Sequence, residues 1–299
     1  MTAATATKQV LLQRLEGLHQ IPTIPAVLAP LLRYLQQPVE QLDVQRVTDL
    51  ISQDKSLAAQ CLQMANSPLF GRAQNVQSLR GAVVSLGFHH VSDIAMTCGV
   101  LNMLPSDKSG LDPVVFWEHS MGCALVSRHL ARKINFGDSG KAYLAGLLHD
   151  LGIIVNLWLL PKEFLAAWET GKIEGIPLHE AEQKSMGFTH CDSGRMLAER
   201  WKLAPELIEV VSYHHSPEKA ADHAGLVALV QLADLLCRMS GLNYGYVEER
   251  QVNLAEESGF GLLAQHSTML KDLDWARLTF ELDSYMDEVH SLVRAIYRS

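Results

Sequence analysis

Apolar residues in this chain recur at steps of three and four along almost its whole length, and no convincing run alternates apolar with polar. That period stacks side chains on one face of a 3.6-residue helix, so the spacing predicts an all-α fold. Helix punctuation agrees. Asp112-Pro113 sets a capping acid before a proline suited to the first helical position. Thr189 to Asp192 reads as a capping box with Asp in place of Glu. Ala204-Pro205 opens a helix, Ser216-Pro217 closes it, and Gly241 is placed to end the apolar run "LVALVQLADLLCRMS". No repeat of 20–50 residues is visible.

Organisation follows from where polar residues fall. The 299 residues suit about two domains. Residues 10–104 read as an N-terminal subdomain of short helices, residues 105–113 as a polar linker, and residues 114–240 as a bundle of longer helices. Residues 241–299 read as a more polar extension, ending in a helix over about 276–297 that packs back on the body. Hydrophobic residues make up 48% of the chain, enough for a sizeable aliphatic core. The net charge of −8 argues against a nucleic-acid or anionic-lipid partner. The start "MTAATATKQV" lacks the apolar core of a signal peptide, and no uncharged apolar stretch of membrane length is expected. Cys61, Cys98, Cys123, Cys191 and Cys237 are scattered singly, without a C-x-x-C pair. They read as small core hydrophobes in a reduced, cytoplasmic protein.

The functional signal is polar residues set into apolar faces. "YLAGLLHDLGIIVNLWLL", residues 143–160, reads as a core helix, yet His149 and Asp150 stand in its middle. Ala145 and Gly146 allow close packing there, so both side chains can converge between helices. His119 shares a face with Phe116, Cys123, Val126 and Leu130. His190 shares one with Gly194, Leu197 and Trp201. His214 and His215 close an apolar helix, and Asp234 lies in a stripe with Val227, Val230 and Cys237. A buried carboxylate without a partner is costly. Any single residue of this kind reads as an ordinary core histidine. The doublet His89-His90, with no matching acid, reads as a partly exposed face. Five successive helical segments with such a residue read as one centre. Imidazole and carboxylate donors without a thiolate suit Fe, Mn, Zn or Ni. Seven side chains exceed the needs of one ion and suit two, with Asp150 bridging.

The order His119, His149-Asp150, Asp234 on helices resembles the HD superfamily of metal-dependent phosphohydrolases. "IPTIPAVLAPLLRYL", "QMANSPLFG" and "SLRGAVVSLG" narrow the resemblance to HDOD, the HD-related output domain of bacterial signalling, over residues 10 to 240. That resemblance implies an all-helical fold and a role in signal transduction. Comparison with the related HD-GYP phosphodiesterases, which cleave cyclic di-GMP, carries the metal-ligand role to His119, His149, Asp150, His190, His214, His215 and Asp234. Three departures count against the same catalysis. Ile153 stands where those enzymes carry a lysine, Val115 where some carry a further Glu, and "SPEKA" where GYP would follow the His pair. Lys184 and Arg195 lie near in sequence.

Three readings follow. The first is a bacterial cytoplasmic signalling module that binds a protein partner, with a structural or sensory metal site. The second is an active phosphohydrolase on a nucleotide or cyclic dinucleotide, with Asp150 and a metal-bound water carrying the reaction. The third is a hydrogen-bonded polar network that holds no metal.

Overall fold

The computed structural model describes residues 41–68, 76–101 and 111–298, together with Gln13, Pro30, Leu31, Tyr34 and Phe70. Among these residues every regular element is a helix, as the apolar spacing predicts. Most of the block at residues 21–35 and of the linker lies outside them. The described residues form two compact units, one from residues 111–283 and the other from residues 22–104 with 284–298; the division falls inside the last helix.

The smaller unit contains α1 (Val44–Ser52), α2 (Lys55–Ala65), α3 (Leu79–Leu86) and α4 (Phe88–Leu101). Asp43, Asp54 and Ser78 accept backbone N–H groups at the starts of α1, α2 and α3, each cap contributing roughly 1 kcal/mol. Val47, Ile51, Leu57, Met64, Val83, Ile94 and Cys98 supply buried apolar side chains. Gly87, at φ +85°, lets the chain turn directly from α3 into α4. His90 is half-buried, with its Nδ1 on the Leu86 carbonyl one turn earlier; the side chain of His89 lies outside the described residues.

The larger unit begins with α5 (Pro113–Lys133), entered through the Asp112 cap and Pro113 as the sequence predicts. This helix is buried on every side from Phe116 to Arg128, so it is a central element and not the one-faced helix its spacing implied. α6 (Ser139–Leu148) and α7 (Leu151–Leu159) follow, then α8 (Pro161–Glu174), α9 (Leu178–Met186), α10 (His190–Arg200) and α11 (Pro205–Tyr213). α12 (Ala224–Met239), α13 (Ser258–His266) and α14 (Trp275–Arg298) complete the order. α5 packs against α6 and α12, α10 against α7 and α11, and α8 against α9.

Residues 143–160 do not form one continuous helix. α6 ends at Leu148, and Asp150 takes φ −98°, ψ 20° before α7 starts. The apolar pattern runs through the break without a proline or glycine at it, which is why spacing alone suggests continuity. Asp150 caps nothing with its side chain, and the carboxylate turns inward instead. The stretch Ser139–Leu159 is long and apolar enough to cross a membrane, but it carries Lys141 and Asp150, and most of it is buried within the protein.

Two glycines set the geometry of the unit. A Cβ on Gly146 would lie 2.5 Å from the Cys123 carbonyl oxygen, so α6 lies directly on the backbone of α5. A Cβ on Gly152 would overlap the His190 carbonyl. At that point α7 and α10 cross backbone to backbone, and His190 arrives beside Asp150.

Candidate metal centre

All seven side chains singled out from sequence meet at one place. His119 comes from α5, His149 and Asp150 from the α6–α7 break, and His190 from the first turn of α10, behind the Thr189–Asp192 capping box the sequence predicts. His214 and His215 follow α11, and Asp234 lies mid-way along α12. Six of the seven are at most 1% exposed, and the His215 side chain is 10% exposed.

Asp150 divides the group in two. Its Oδ2 lies 3.1 Å from His149 Nε2 and 3.5 Å from His119 Nε2. Its Oδ1 lies 3.3 Å from His190 Nε2 and 3.5 Å from His214 Nε2. Asp234 Oδ1 stands 3.3 Å from His119 Nε2, and His215 Nε2 3.2 Å from His190 Nε2. Two donor clusters therefore share one bridging carboxylate.

The tautomers are fixed from behind. His119 Nδ1–H donates to the Leu242 carbonyl at 2.7 Å, His149 Nδ1–H to the Gly146 carbonyl at 2.7 Å, and His214 Nδ1–H to the Val210 carbonyl at 3.1 Å. His190 Nδ1–H donates to Glu182 Oε2 at 2.6 Å. Glu182 also accepts the His190 backbone N–H and the Asn156 side-chain amide. A neutral imidazole has one N–H, so with Nδ1 committed each Nε2 offers only a lone pair. These lone pairs face one another at 3.3 Å, His119 to His149 and His190 to His214, and all face a carboxylate. Asp150 Oδ1, fully buried, accepts no hydrogen bond. Acceptors aimed at acceptors in a buried site repel unless a cation lies between them. The donor set therefore fits divalent metal, and a carboxylate behind a ligating imidazole is the usual outer support of such a site.

Without metal, protons supply the positive charge. Burial opposes charging His190, but the Glu182 carboxylate outweighs it and raises the imidazole well above its ordinary value. Burial likewise opposes charging His214, and Cys191 with Asp150 outweigh it, bringing the group to about 10. Burial pushes His149 and His215 down. His179, stacked on His215 with centroids 3.9 Å apart, is lowered to about 3, first by burial and then by His190. Burial would raise both carboxylates, but the imidazoles hold Asp150 low, and Arg238 with His119 hold Asp234 low.

Sequence reasoning missed several neighbours. Arg238, 8% exposed, forks onto Asp234 through Nε and Nη2 at 3.0 Å each, and its Nη1 pairs with Glu248. The i,i+4 spacing of Asp234 and Arg238 was the available signal. Tyr244 donates its hydroxyl to Asp150 Oδ2. Residues 242–249, assigned from sequence to the C-terminal extension, thus run over the centre. Their further anchors include the Trp168 indole N–H on the Tyr244 carbonyl, the Tyr246 hydroxyl on the Ile176 carbonyl and the Glu249 N–H on the Gly175 carbonyl. Cys191 is not simply a core hydrophobe: half-buried, it sits 3.8 Å from His214 Nδ1. Burial would raise its thiol, but His214 and His190 bring it down to about 6. The other four cysteines are buried.

Lys184 and Arg195 take no part. Lys184 pairs with Glu174 and Arg195 with Glu199, all four at least 40% exposed. Ile153 is fully buried. A cavity of about 240 Å³, lined by residues including His179, His215, Gln231, Arg238 and Arg250, reaches the outer edge of the centre.

Comparison with known proteins places the fold. Residues 21–217 match the HDOD domain. The fold is similar to a crystal structure of an HDOD domain protein of unknown function from Geobacter sulfurreducens, with 28% identity, 98% of each chain covered and a TM-score of 0.84. A candidate phosphohydrolase from Shewanella amazonensis SB2B shares the fold at 21% identity and TM-score 0.73, covering 99% of this chain and 98% of that one. An uncharacterized protein of Treponema pallidum (strain Nichols) is 25% identical over 238 residues, 78% of this chain; the match spans 45% of that relative's length.

Proposed function

The chain belongs to the HDOD domain family, and on that premise we propose that it is a signal-transduction binding module. Its buried imidazole–carboxylate centre holds two divalent ions as a structural or sensory element, with Fe, Mn, Zn or Ni the metals suited to it. The module acts in a bacterial cytoplasm through a protein partner. The observation that carries this reading is Tyr244 seated on the bridging carboxylate of Asp150, with Leu242 on the far nitrogen of His119. A substrate phosphate would have to displace Tyr244 to reach the centre on the Asp150 Oδ2 side.

The charges point the same way. Phosphoryl transfer leans on cations that neutralise the transferring group. Here Arg238 is committed to Asp234 and Glu248, and the nearby Lys184 and Arg195 face outward. Glu182, Leu242, Gly146 and Val210 hold the imidazoles in one tautomer and orientation, which serves binding as well as it would serve catalysis.

A second reading, a phosphohydrolase of nucleotides or cyclic dinucleotides, is favoured by the cavity that reaches His215 and is lined in part by Arg238 and Arg250. Bound metal would there activate a water, which Asp150 would orient.

One assay separates the two. Protein loaded with Mn or Fe is incubated with a generic phosphodiester, nucleotides and cyclic dinucleotides. The binding-module reading expects no turnover above metal-containing buffer. Turnover that scales with protein and disappears in Asp150→Ala would replace it with the hydrolase.

A further inference from the structure

We propose that Cys191 is a metal ligand and completes a three-imidazole, one-thiolate site with His190, His214 and His215. The inference rests on the metal-holding reading above and adds a thiolate, a donor the sequence reading excluded. A ligand atom from each of the four residues lies within 4.8 Å of the other three. His190 Nε2 is 3.3 Å from His214 Nε2 and 3.2 Å from His215 Nε2, and the Cys191 sulfur is 3.9 Å from His214 Nε2. A tetrahedral ion with nitrogen ligands at about 2.0–2.1 Å and sulfur at about 2.3 Å sets neighbouring donors about 3.3–3.6 Å apart. The two nitrogen spacings from His190 are close to that polyhedron, and the sulfur lies just outside it.

Charge favours this cysteine over the other near the centre. Cys123 lies 3.5 Å from His119 Nε2, but burial first, then Cys237, and then Asp234 and Asp150 disfavour its thiolate. Cys191 faces imidazoles. Its place follows from the chain: Thr189 caps α10, His190 is the first helical residue, and Cys191 is the next. One helix start thus delivers two ligands, while the turn after α11 delivers His214 and His215. The bridging Asp150 faces the same imidazoles through Oδ1, so with it this half is closed by protein donors alone. Softer, thiolate-tolerant metals are then preferred over Mn in this half.

Cobalt substitution reads the bond directly. Full-length protein is stripped, loaded with Co(II) and scanned for the thiolate-to-cobalt charge-transfer band in the near ultraviolet. Wild type and Cys123→Ser are expected to show it. Cys191→Ser should lose it while still binding cobalt, with affinity lowered at least tenfold and helical content unchanged by circular dichroism. A second readout is alkylation followed by mass spectrometry, where zinc should slow labelling of Cys191 at least tenfold relative to stripped protein. Cobalt bound without the band in wild type, or a band that survives in Cys191→Ser, overturns the thiolate and leaves the metal-holding reading standing. No cobalt bound at all removes both.

Discussion

Around His119 and His149 the surroundings are carboxylates answered by fixed donors: Arg238 forks onto Asp234, and Tyr244 donates to Asp150. Around His190 and His214 they are imidazoles, His179 stacked on His215 among them, answered by Glu182 behind His190 and Cys191 beside His214. The two halves share Asp150 and have similar spacings between Nε2 atoms. They differ in what balances them when no ion is present. The first half is neutralised by an arginine that cannot leave, the second by protons that a metal can displace. The comparison predicts a first half that resists metal loss with its fold intact and a second half whose state depends on pH and metal.

The largest effect should come from removing the fixed cation. Arg238→Ala leaves Asp234 buried and Glu248 half-buried without their partner, a loss of about 3–5 kcal/mol by the usual cost of breaking a buried pair. Denaturant titration with and without metal should find a smaller loss in loaded protein, because an ion can take over the charge of Asp234. An equal loss in both would separate Arg238 from the metal site. Next comes the crossing that joins the halves. Gly152→Ala forces α7 away from the His190 carbonyl and should cost about 1–3 kcal/mol or more. It should also weaken metal binding in the second half, to which His190 belongs, more than in the first.

Glu182→Gln tests the second half alone. It removes the anion behind His190 and should lower metal affinity about 10–100-fold, measured by competition with a chelator, while the fold persists. The pH dependence sharpens the contrast further. Burial depresses His149, His179 and His215, so unfolded chains take up protons below about 6.5 that the folded state refuses. Their contribution to stability is present above that pH and declines as pH falls towards the folded values, about 3 for His179. His190 and His214 are raised, so in metal-free protein their contribution is full below about 6.5 and is lost as pH rises, for His214 through about 10. Metal must displace those protons. The rise in melting temperature on adding metal should therefore be larger at pH 8 than at pH 5.5. A pH-independent rise would contradict the ligand role of the histidines. The smallest effect is expected from Tyr244→Phe, about 1 kcal/mol for one hydrogen bond.

Much of this was legible in the chain, for definite reasons. Helical spacing and caps marked the elements, and the seven polar residues stood out because buried polar groups on apolar faces are expensive. What was not legible came from residues whose burial depends on tertiary packing. Glu182 lies in the polar segment "LHEAEQKSM", where nothing in the spacing says that one acid faces inward. Tyr244 sits in an irregular strap with no period to read. Arg238 looks like a basic residue ending a helix, and only the fold turns it onto Asp234. Cys191 reads as a small hydrophobe until the turn after α11 brings two imidazoles to it. The break at Asp150 is hidden because the apolar run continues on both sides.

The measurement that tests the central claim most directly is elemental analysis of protein purified without chelator, alongside Asp150→Ala of equal helical content. The account predicts about two metal equivalents in the wild type and a loss of most of both in the variant, since one carboxylate faces both clusters. Absence of metal in the wild type, before and after reloading with Fe, Mn, Zn or Ni, would contradict it and leave the centre a hydrogen-bonded polar core.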